Sequence, residues 1–136
     1  MASFVLKNVH FEFGGTTMTS FTESITLSAE ADAPEDTAMG DDWRSFLSGG
    51  LKSASLDVTF NQDFAASGND TVLWPLLGTS AAWLIRPTTA AVGATNPSFS
   101  GVAIITSYPP IGGTAGDKAS ATMTAVCKST VARATA

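Results

Sequence analysis

Residues 43–60, WRSFLSGGLKSASLDVTF, contain the clearest strand pattern in this chain. Over the second half of the stretch, apolar and polar residues alternate. One face carries Ala54, Leu56, Val58 and Phe60. The other face carries Ser53, Ser55, Asp57 and Thr59. A period of two is typical of a β-strand with one buried and one exposed face, so the stretch predicts a sheet that covers a core.

Further strands are predicted from the same alternation or from short apolar runs bounded by turn residues. They cover Phe4–Lys7, Val9–Phe13, Phe21–Ala29, Trp83–Ile85, Phe99–Ser107 and Ala119–Cys127. We expect the strands on either side of Gly14–Gly15 to form a long first hairpin. A short helix is predicted after an N-cap at Asn69, Asp70 or Thr71, with Pro75 shortening it and Gly78 ending it. The expected fold class is mainly β, an antiparallel β-sandwich or small barrel with one short flanking α-helix.

The length of 136 residues suits one domain. We expect a single β domain over residues 1–128 and a polar C-terminal tail over residues 129–136 that frays or extends. Charged residues make up only 14% of the chain, so much of its surface must consist of small neutral side chains. Two explanations stay open: an alanine-rich source composition, or a surface that copies of the same protein cover.

Several classes of protein are excluded by charge and composition. The net charge of −5 argues against a protein that binds nucleic acid by neutralising phosphates. The single cysteine, Cys127, excludes an intramolecular disulfide and a cysteine-based zinc site. No apolar run approaches the ~20 residues of a membrane-spanning helix, so we expect no membrane partner. The first residues lack the pattern of a secretory signal, and we expect synthesis in a cytoplasm.

The sequence offers no catalytic constellation. His10 is the one histidine, on a strand beside Phe11, and no nucleophile-elbow motif accompanies it. Cys127 alternates with core positions and is interpreted as a small apolar residue. The paired glycines lack the spacing of a phosphate-binding loop. We therefore expect no enzyme activity and no cofactor.

Residues 30–42, EADAPEDTAMGDD, carry six carboxylates and no basic residue. They do not match the ligand spacing of a calcium loop, so an exposed acidic loop is expected rather than a metal site. Asp41 or Asp42 is expected to cap a short helical turn that runs to Leu47. Four large apolar residues follow closely: Trp43, Phe46, Leu47 and Leu51. They belong either to the core or to an interaction surface.

Three strands carry faces composed almost wholly of Ser and Thr: residues 20–28, 53–59 and 120–124. One interpretation is the solvated side of an antiparallel sheet. The other is the wall of a channel, whose small and sparsely acidic groups would not hold a phosphate backbone. The candidates for such a lumen are Glu23, Ser53, Ser55, Asp57, Thr122 and Thr124.

The order of these features resembles the tail tube protein, or major tail protein, of long-tailed (siphophage-type) bacteriophages. The resemblance runs from the first strands to about Lys128. It rests on an acidic loop, an aromatic and glycine-containing segment, a strand, an Asp-capped helix, a Gly-Val-Ala-Ile-Ile strand, a Gly-Asp turn and a Ser/Thr-rich last strand. The residues that carry it are Asp36–Thr37, Gly40–Asp42, Trp43–Lys52, SASLDVTF, Gly101–Ile105 and Gly116–Asp117.

The resemblance implies a structural virion protein whose copies form rings, usually hexameric, that stack into a hollow tail tube. DNA would pass through the tube during ejection without specific binding, and other phage tail proteins would be partners. The implied location is the tail of the virion, after synthesis in the bacterial host. By resemblance, the subunit or ring interface comprises Asp41, Asp42, Trp43, Phe46, Leu47 and Leu51.

Two alternatives stay open beside this hypothesis. One is a related ring protein, such as a tail terminator. The other is a ligand- or carbohydrate-binding β-sandwich module, in which Trp43, Trp74 and Trp83 would line a sugar site.

Overall fold

The computed structural model describes residues 3–136. Within them lie eight strands, one α-helix and one short 3₁₀ turn. The strands are β1 (His10–Phe13), β2 (Thr16–Thr17), β3 (Thr22–Ala31), β4 (Lys52–Asn61), β5 (Ser80–Arg86), β6 (Ser98–Ser107), β7 (Ser120–Cys127) and β8 (Ala132–Ala134). The helix α1 spans Asn69–Leu76, and the 3₁₀ turn spans Thr19–Phe21.

All strand pairs are antiparallel, and the strands form one sheet in the order β2-β1-β5-β6-β7-β4-β3. The strand β8 pairs with the first residues of β6, whereas β7 pairs with its last residues. β7 and β8 therefore follow one another along β6.

The sheet curls around a core built from its inward faces. Leu56, Val58 and Phe60 of β4 are fully buried. Phe60 stacks on Phe11 of β1 with ring centroids 6.3 Å apart, although three strands separate β4 from β1 in the sheet. Leu73 of α1 is also fully buried. The expected mainly β, antiparallel fold with one short helix is confirmed, as a single curled sheet.

The first part of the chain pairs differently from the prediction. β3 does not form a hairpin with β1; it pairs with β4, with Ile25 opposite Val58. The turn at Gly14–Gly15 admits only the two-residue strand β2. The chain then buries Met18 and turns through Thr19–Phe21, which carries it away from β1.

Other expectations also differ from the structure. Residues 4–7 form no strand. Residues 41–47 form no helical turn: the backbone bends at Asp42 and Trp43, and Phe46 then forms an antiparallel bridge with Glu35. The polar tail over residues 129–136, expected to fray or extend, is extended in part: Ala132–Ala134 pairs with β6, and Val131 packs against the core.

A network of polar side chains fixes the start of α1. Tyr108 Oη donates a hydrogen bond to Asp70 Oδ1 (2.6 Å) and accepts one from Gln62 Nε2 (2.6 Å). The fully buried Asn69 donates to Gln62 Oε1 (2.9 Å) and accepts from the backbone N–H of Asp63 (2.9 Å). Because buried polar groups are costly when unpaired, this mutual satisfaction holds the helix, the end of β4 and the loop after β6 together.

Candidate functional site

The candidate site is a two-stranded extension that projects from β3 and β4. Residues 32–51, called the arm here, continue the pairing of these strands beyond the sheet. Backbone hydrogen bonds join Asp32 N–H to Leu51 O (2.8 Å), Leu47 N–H to Pro34 O (2.7 Å) and Asp36 N–H to Ser45 O (2.9 Å). The acidic loop predicted from the sequence is therefore an ordered hairpin.

Side chains close the tip of the arm. The Asp41 carboxylate accepts a hydrogen bond from the backbone N–H of Ala38 (2.8 Å). The Thr37 hydroxyl accepts one from the backbone N–H of Ser45 (2.8 Å). Asp41 thus caps a turn, as polar side chains commonly do, but not a helical turn.

Two glycines shape the base of the arm. Gly49 has φ of +85°, a backbone conformation that residues with a Cβ rarely adopt. A Cβ on Gly50 would overlap the carbonyl oxygen of Asp32 on the opposite side of the hairpin. The close approach of the two sides at the base therefore depends on Gly50.

Large apolar side chains on the arm face solvent. Trp43 is 86% exposed, Phe46 56%, Leu47 52% and Leu51 82%. Met39, at the tip, is fully exposed. Of the two interpretations of this cluster, membership of the core is wrong. Several large apolar groups exposed together on one short hairpin are typical of an interaction surface.

The arm is also strongly acidic. Glu35 forms a long contact with Arg44, 3.9 Å between Oε1 and Nε, and both side chains are largely exposed. Such an exposed ion pair contributes little to the free energy of folding. Asp41 and Asp42 are exposed and directly precede Trp43. The tip therefore presents an aromatic ring next to two carboxylates.

Most of the lumen candidates share the outer face of the sheet, opposite the core. Asp57 lies opposite Thr124, whose hydroxyl donates to Asp57 Oδ1 (3.1 Å). The hydroxyls of Thr59 and Thr122 are 3.1 Å apart on the same two strands. Ser53 and Ser55 continue the polar row along β4.

Glu23 is an exception among these candidates. It lies at an irregularity in β3, where the register shifts between Thr22 and Ser24. Its carboxylate forms an ion pair with Lys118 Nζ at 2.8 Å. Glu23 is thus engaged by a cation and stands outside the regular polar row.

The residues considered as catalytic or metal-binding candidates do not come together in the structure. His10 is the neighbour of Glu12, with 3.6 Å between Nε2 and Oε1. Burial raises the pKa of the Cys127 thiol, which keeps it protonated. Within residues 3–136 no group of three or more His, Cys, Asp and Glu side chains is placed to hold a metal ion. The same residues contain no helix with the length and apolar character of a membrane span.

The three tryptophans do not converge on one surface. Trp83 is only 2% exposed and belongs to the core. Trp43 lies on the arm, and Trp74 lies on the outer side of α1. A sugar site lined by all three is therefore absent from the described structure.

An apolar groove of about 520 Å³, not predicted from the sequence, opens near the base of the arm. It brings together segments that are far apart in the chain: the N-terminal segment, β3, the end of β5, the start of β6 and the segment around β8. Its wall includes Leu6, Leu27, Ile85, Phe99, Val131 and Arg133. The guanidinium of Arg133 stands over the Phe99 ring, 6.0 Å from its centroid.

No model of a known protein family matches this sequence, and no curated protein is similar enough to match it. Solved structures do match the fold. A chain from the virion of a native gene transfer agent particle superimposes with a TM-score of 0.73 at 16% identity, covering 96% of this chain and 98% of that one. A chain from the tail of an empty gene transfer agent particle, of C6 symmetry, gives a TM-score of 0.69 at 17% identity. That match covers 92% of each chain.

The Dit protein of phage SPP1, described as a paradigm of the hub adsorption apparatus in phages that infect Gram-positive bacteria, gives a TM-score of 0.54 at 15% identity. The match covers 90% of this chain but 50% of Dit. At these identities the comparisons establish a shared fold. The resemblance to phage tail proteins is thus confirmed at the level of the fold.

Proposed function

We propose that this chain is a structural virion protein whose copies assemble into stacked rings and form a hollow tail tube. The observation that carries the proposal is the arm. It holds five large apolar side chains in solvent on an ordered hairpin, where they contribute nothing to the core of their own subunit. Burial against other copies would remove this apolar surface from water.

The structural neighbours support a tail role and a six-fold ring. Chains of the same fold come from a virion and from a tail of C6 symmetry. By analogy we assign this chain to the tail of a virion, with itself and other tail proteins as partners. This step is an argument from fold similarity and depends on the assembly experiment below.

The edge of the sheet at β3 favours pairing with other copies of the chain. Among the described residues, the ten-residue strand β3 pairs on one side only, with β4. Such an edge carries unpaired N–H and C=O groups that another chain can satisfy. Pairing at this edge would join the polar outer faces of neighbouring subunits into one wall.

The chemistry of that wall suits the passage of DNA. Its side chains are mainly hydroxyls, with Asp57 as the acidic member of the row. The strand residues of this row include no Lys or Arg, so they would repel phosphates weakly and would not bind them, and DNA would pass without specific contacts. We propose a passive conduit without enzymatic activity.

Electron microscopy over a concentration series tests the proposal. We expect the purified protein to form hollow tubes or stacked rings. Trp43→Ala combined with Phe46→Ala should abolish them, whereas Ile111→Ala, a control residue that is also 86% exposed, should not. A wild-type protein that stays monomeric at high concentration, alone and with its tail initiator proteins, would contradict the proposal.

A second candidate function is a ring protein that does not stack, such as a terminator or hub. The likeness to Dit of SPP1 is the observation that favours it. Images would then contain single or paired rings at all concentrations, and no tubes.

A further inference from the structure

Three basic side chains line the apolar groove or the cavity that adjoins it. A second cavity, of about 450 Å³, adjoins the groove, because Ala29 and Val131 line both. Lys52 and Lys128 line this cavity, and Arg133 lines the groove. None of the three forms an ion pair with a carboxylate within residues 3–136. In a chain with seven Lys and Arg in total, this is a marked concentration of free positive charge.

The tip of the arm carries the complementary chemistry. Trp43 offers a large apolar ring, and Asp41 and Asp42 offer exposed carboxylates next to it. The groove offers apolar walls with a guanidinium at one side. Interfaces of this kind bury an aromatic anchor in a pocket and place opposite charges around it.

The arm does not occupy the groove of its own subunit. The groove and the basic cavity lie at the base of the arm, where Ala29 and Lys52 flank it. Trp43 is 86% exposed, and no residue of the arm is among those that line the groove. The groove is therefore open to an arm from another molecule.

We propose that the groove receives the arm tip of a second copy of this chain, with Trp43 in the groove and Asp41 and Asp42 paired with Arg133 and its neighbouring lysines. The contact joins unlike surfaces, the tip of one copy and the base of the next, so it is heterologous and propagates into rings or filaments. The inference rests on the proposed function and names the receiving surface for the arm. A small apolar ligand would fill the groove without using the cations, which is why a second copy is favoured.

A mixing experiment tests the pairing directly. One variant loses the arm contact through Trp43→Ala and Phe46→Ala but keeps its groove. The other loses the groove contact through Leu6→Asp and Arg133→Glu but keeps its arm. Both pairs of substituted residues are on the surface or at its edge, and thermal unfolding checks that both variants fold.

Each variant alone should be monomeric in sedimentation velocity. Mixed, they should form a 1:1 complex, because one intact arm meets one intact groove and growth then stops. Two folded variants that remain monomeric when mixed, beside a wild type that assembles, would overturn the groove as the receiving surface and leave the tube proposal standing. A 1:1 complex beside a wild type that never forms rings or tubes would support the groove and overturn the tube.

A charge exchange gives a second, independent test. Arg133→Glu alone should weaken assembly at least about tenfold in critical concentration, as loss of a partly buried charge pair does. Adding Asp42→Arg should restore most of it. Asp117→Arg, a matched change of an exposed carboxylate on a distant turn, should not. Equal rescue by both changes would mean that net charge alone matters, and the proposed pairing would be wrong.

Discussion

Tyr108 and Asp70 share a hydrogen bond of 2.6 Å that ties the loop after β6 to the first turn of α1. Burial, and then this hydrogen bond to a carboxylate, raise the pKa of Tyr108 to about 12. An ionised phenolate beside Asp70 would be both desolvated and repelled. The pairing therefore contributes stability only while the tyrosine is protonated.

The first prediction concerns alkaline pH. Since the pKa of Tyr108 is about 10 in the unfolded chain and about 12 in the folded one, its contribution is complete below pH 10 and declines between pH 10 and 12. We expect a loss of about 2 kcal/mol in the free energy of unfolding over this window. Urea titrations at several pH values measure it. In Tyr108→Phe the decline should be shallower, and an equally steep decline in that variant would refute the assignment.

The second prediction separates folding from assembly. Phe60→Ala removes a fully buried ring that stacks on Phe11, and should lower the free energy of unfolding by about 3–5 kcal/mol. Trp43→Ala removes an exposed ring and should change the stability of the monomer by less than about 0.5 kcal/mol. Denaturant titration of unassembled protein compares them. A large loss of monomer stability in Trp43→Ala would mean that the arm packs on its own subunit.

The third prediction concerns the base of the arm. Gly50→Ala forces a methyl group against the Asp32 carbonyl, so the two sides of the hairpin must separate. We expect weaker assembly with little change in the unfolding of the core. Gly112→Ala, at a position where a Cβ meets open space, is the matched control. Normal tubes from Gly50→Ala would indicate that assembly does not depend on the close approach of the two sides of the hairpin at Gly50.

The fourth prediction concerns the polar row on the outer face. Asp57→Arg should still allow rings, because the side chain is exposed and loses only a hydrogen bond from Thr124. If the row lines the lumen, the tubes should bind fluorescent single-stranded DNA in low salt and release it in high salt. Asp117→Arg tubes serve as the control for added charge. Equal binding by both variants would place Asp57 outside the lumen.

Alternation of side chains predicts β4 and β7, which each bury one face, whereas short apolar runs predict β5 and β6. In β4 the alternation is clearest from Leu56 to Phe60, where Leu56, Val58 and Phe60 are buried and Asp57 is exposed, whereas Ala54 and Ser55 are both half-buried. Alternation identifies a strand but not its neighbour. Closeness in sequence predicts that β3 pairs with β1, whereas the 3₁₀ turn at Thr19–Phe21 leads the chain away and β3 pairs with β4.

The candidate site was harder to predict than the strands. The sequence located the apolar residues of the arm but could not separate core from interface, since the same side chains serve both. Their exposure, such as that of Trp43, is a property of the fold. The groove had no sequence signal, because Leu6, Leu27 and Arg133 meet only when the sheet curls.

The arm is a prolongation of β3 and β4, and this has a mechanical consequence. β4 is hydrogen-bonded on both sides, to β3 and to β7, along most of its length. A pull on the arm tip acts along these strands and loads many backbone hydrogen bonds at once, in shear, rather than opening them one after another. A fibre built from such subunits would transmit tension from one molecule's arm into the centre of its sheet, and its contacts between molecules would yield before its subunits unfold.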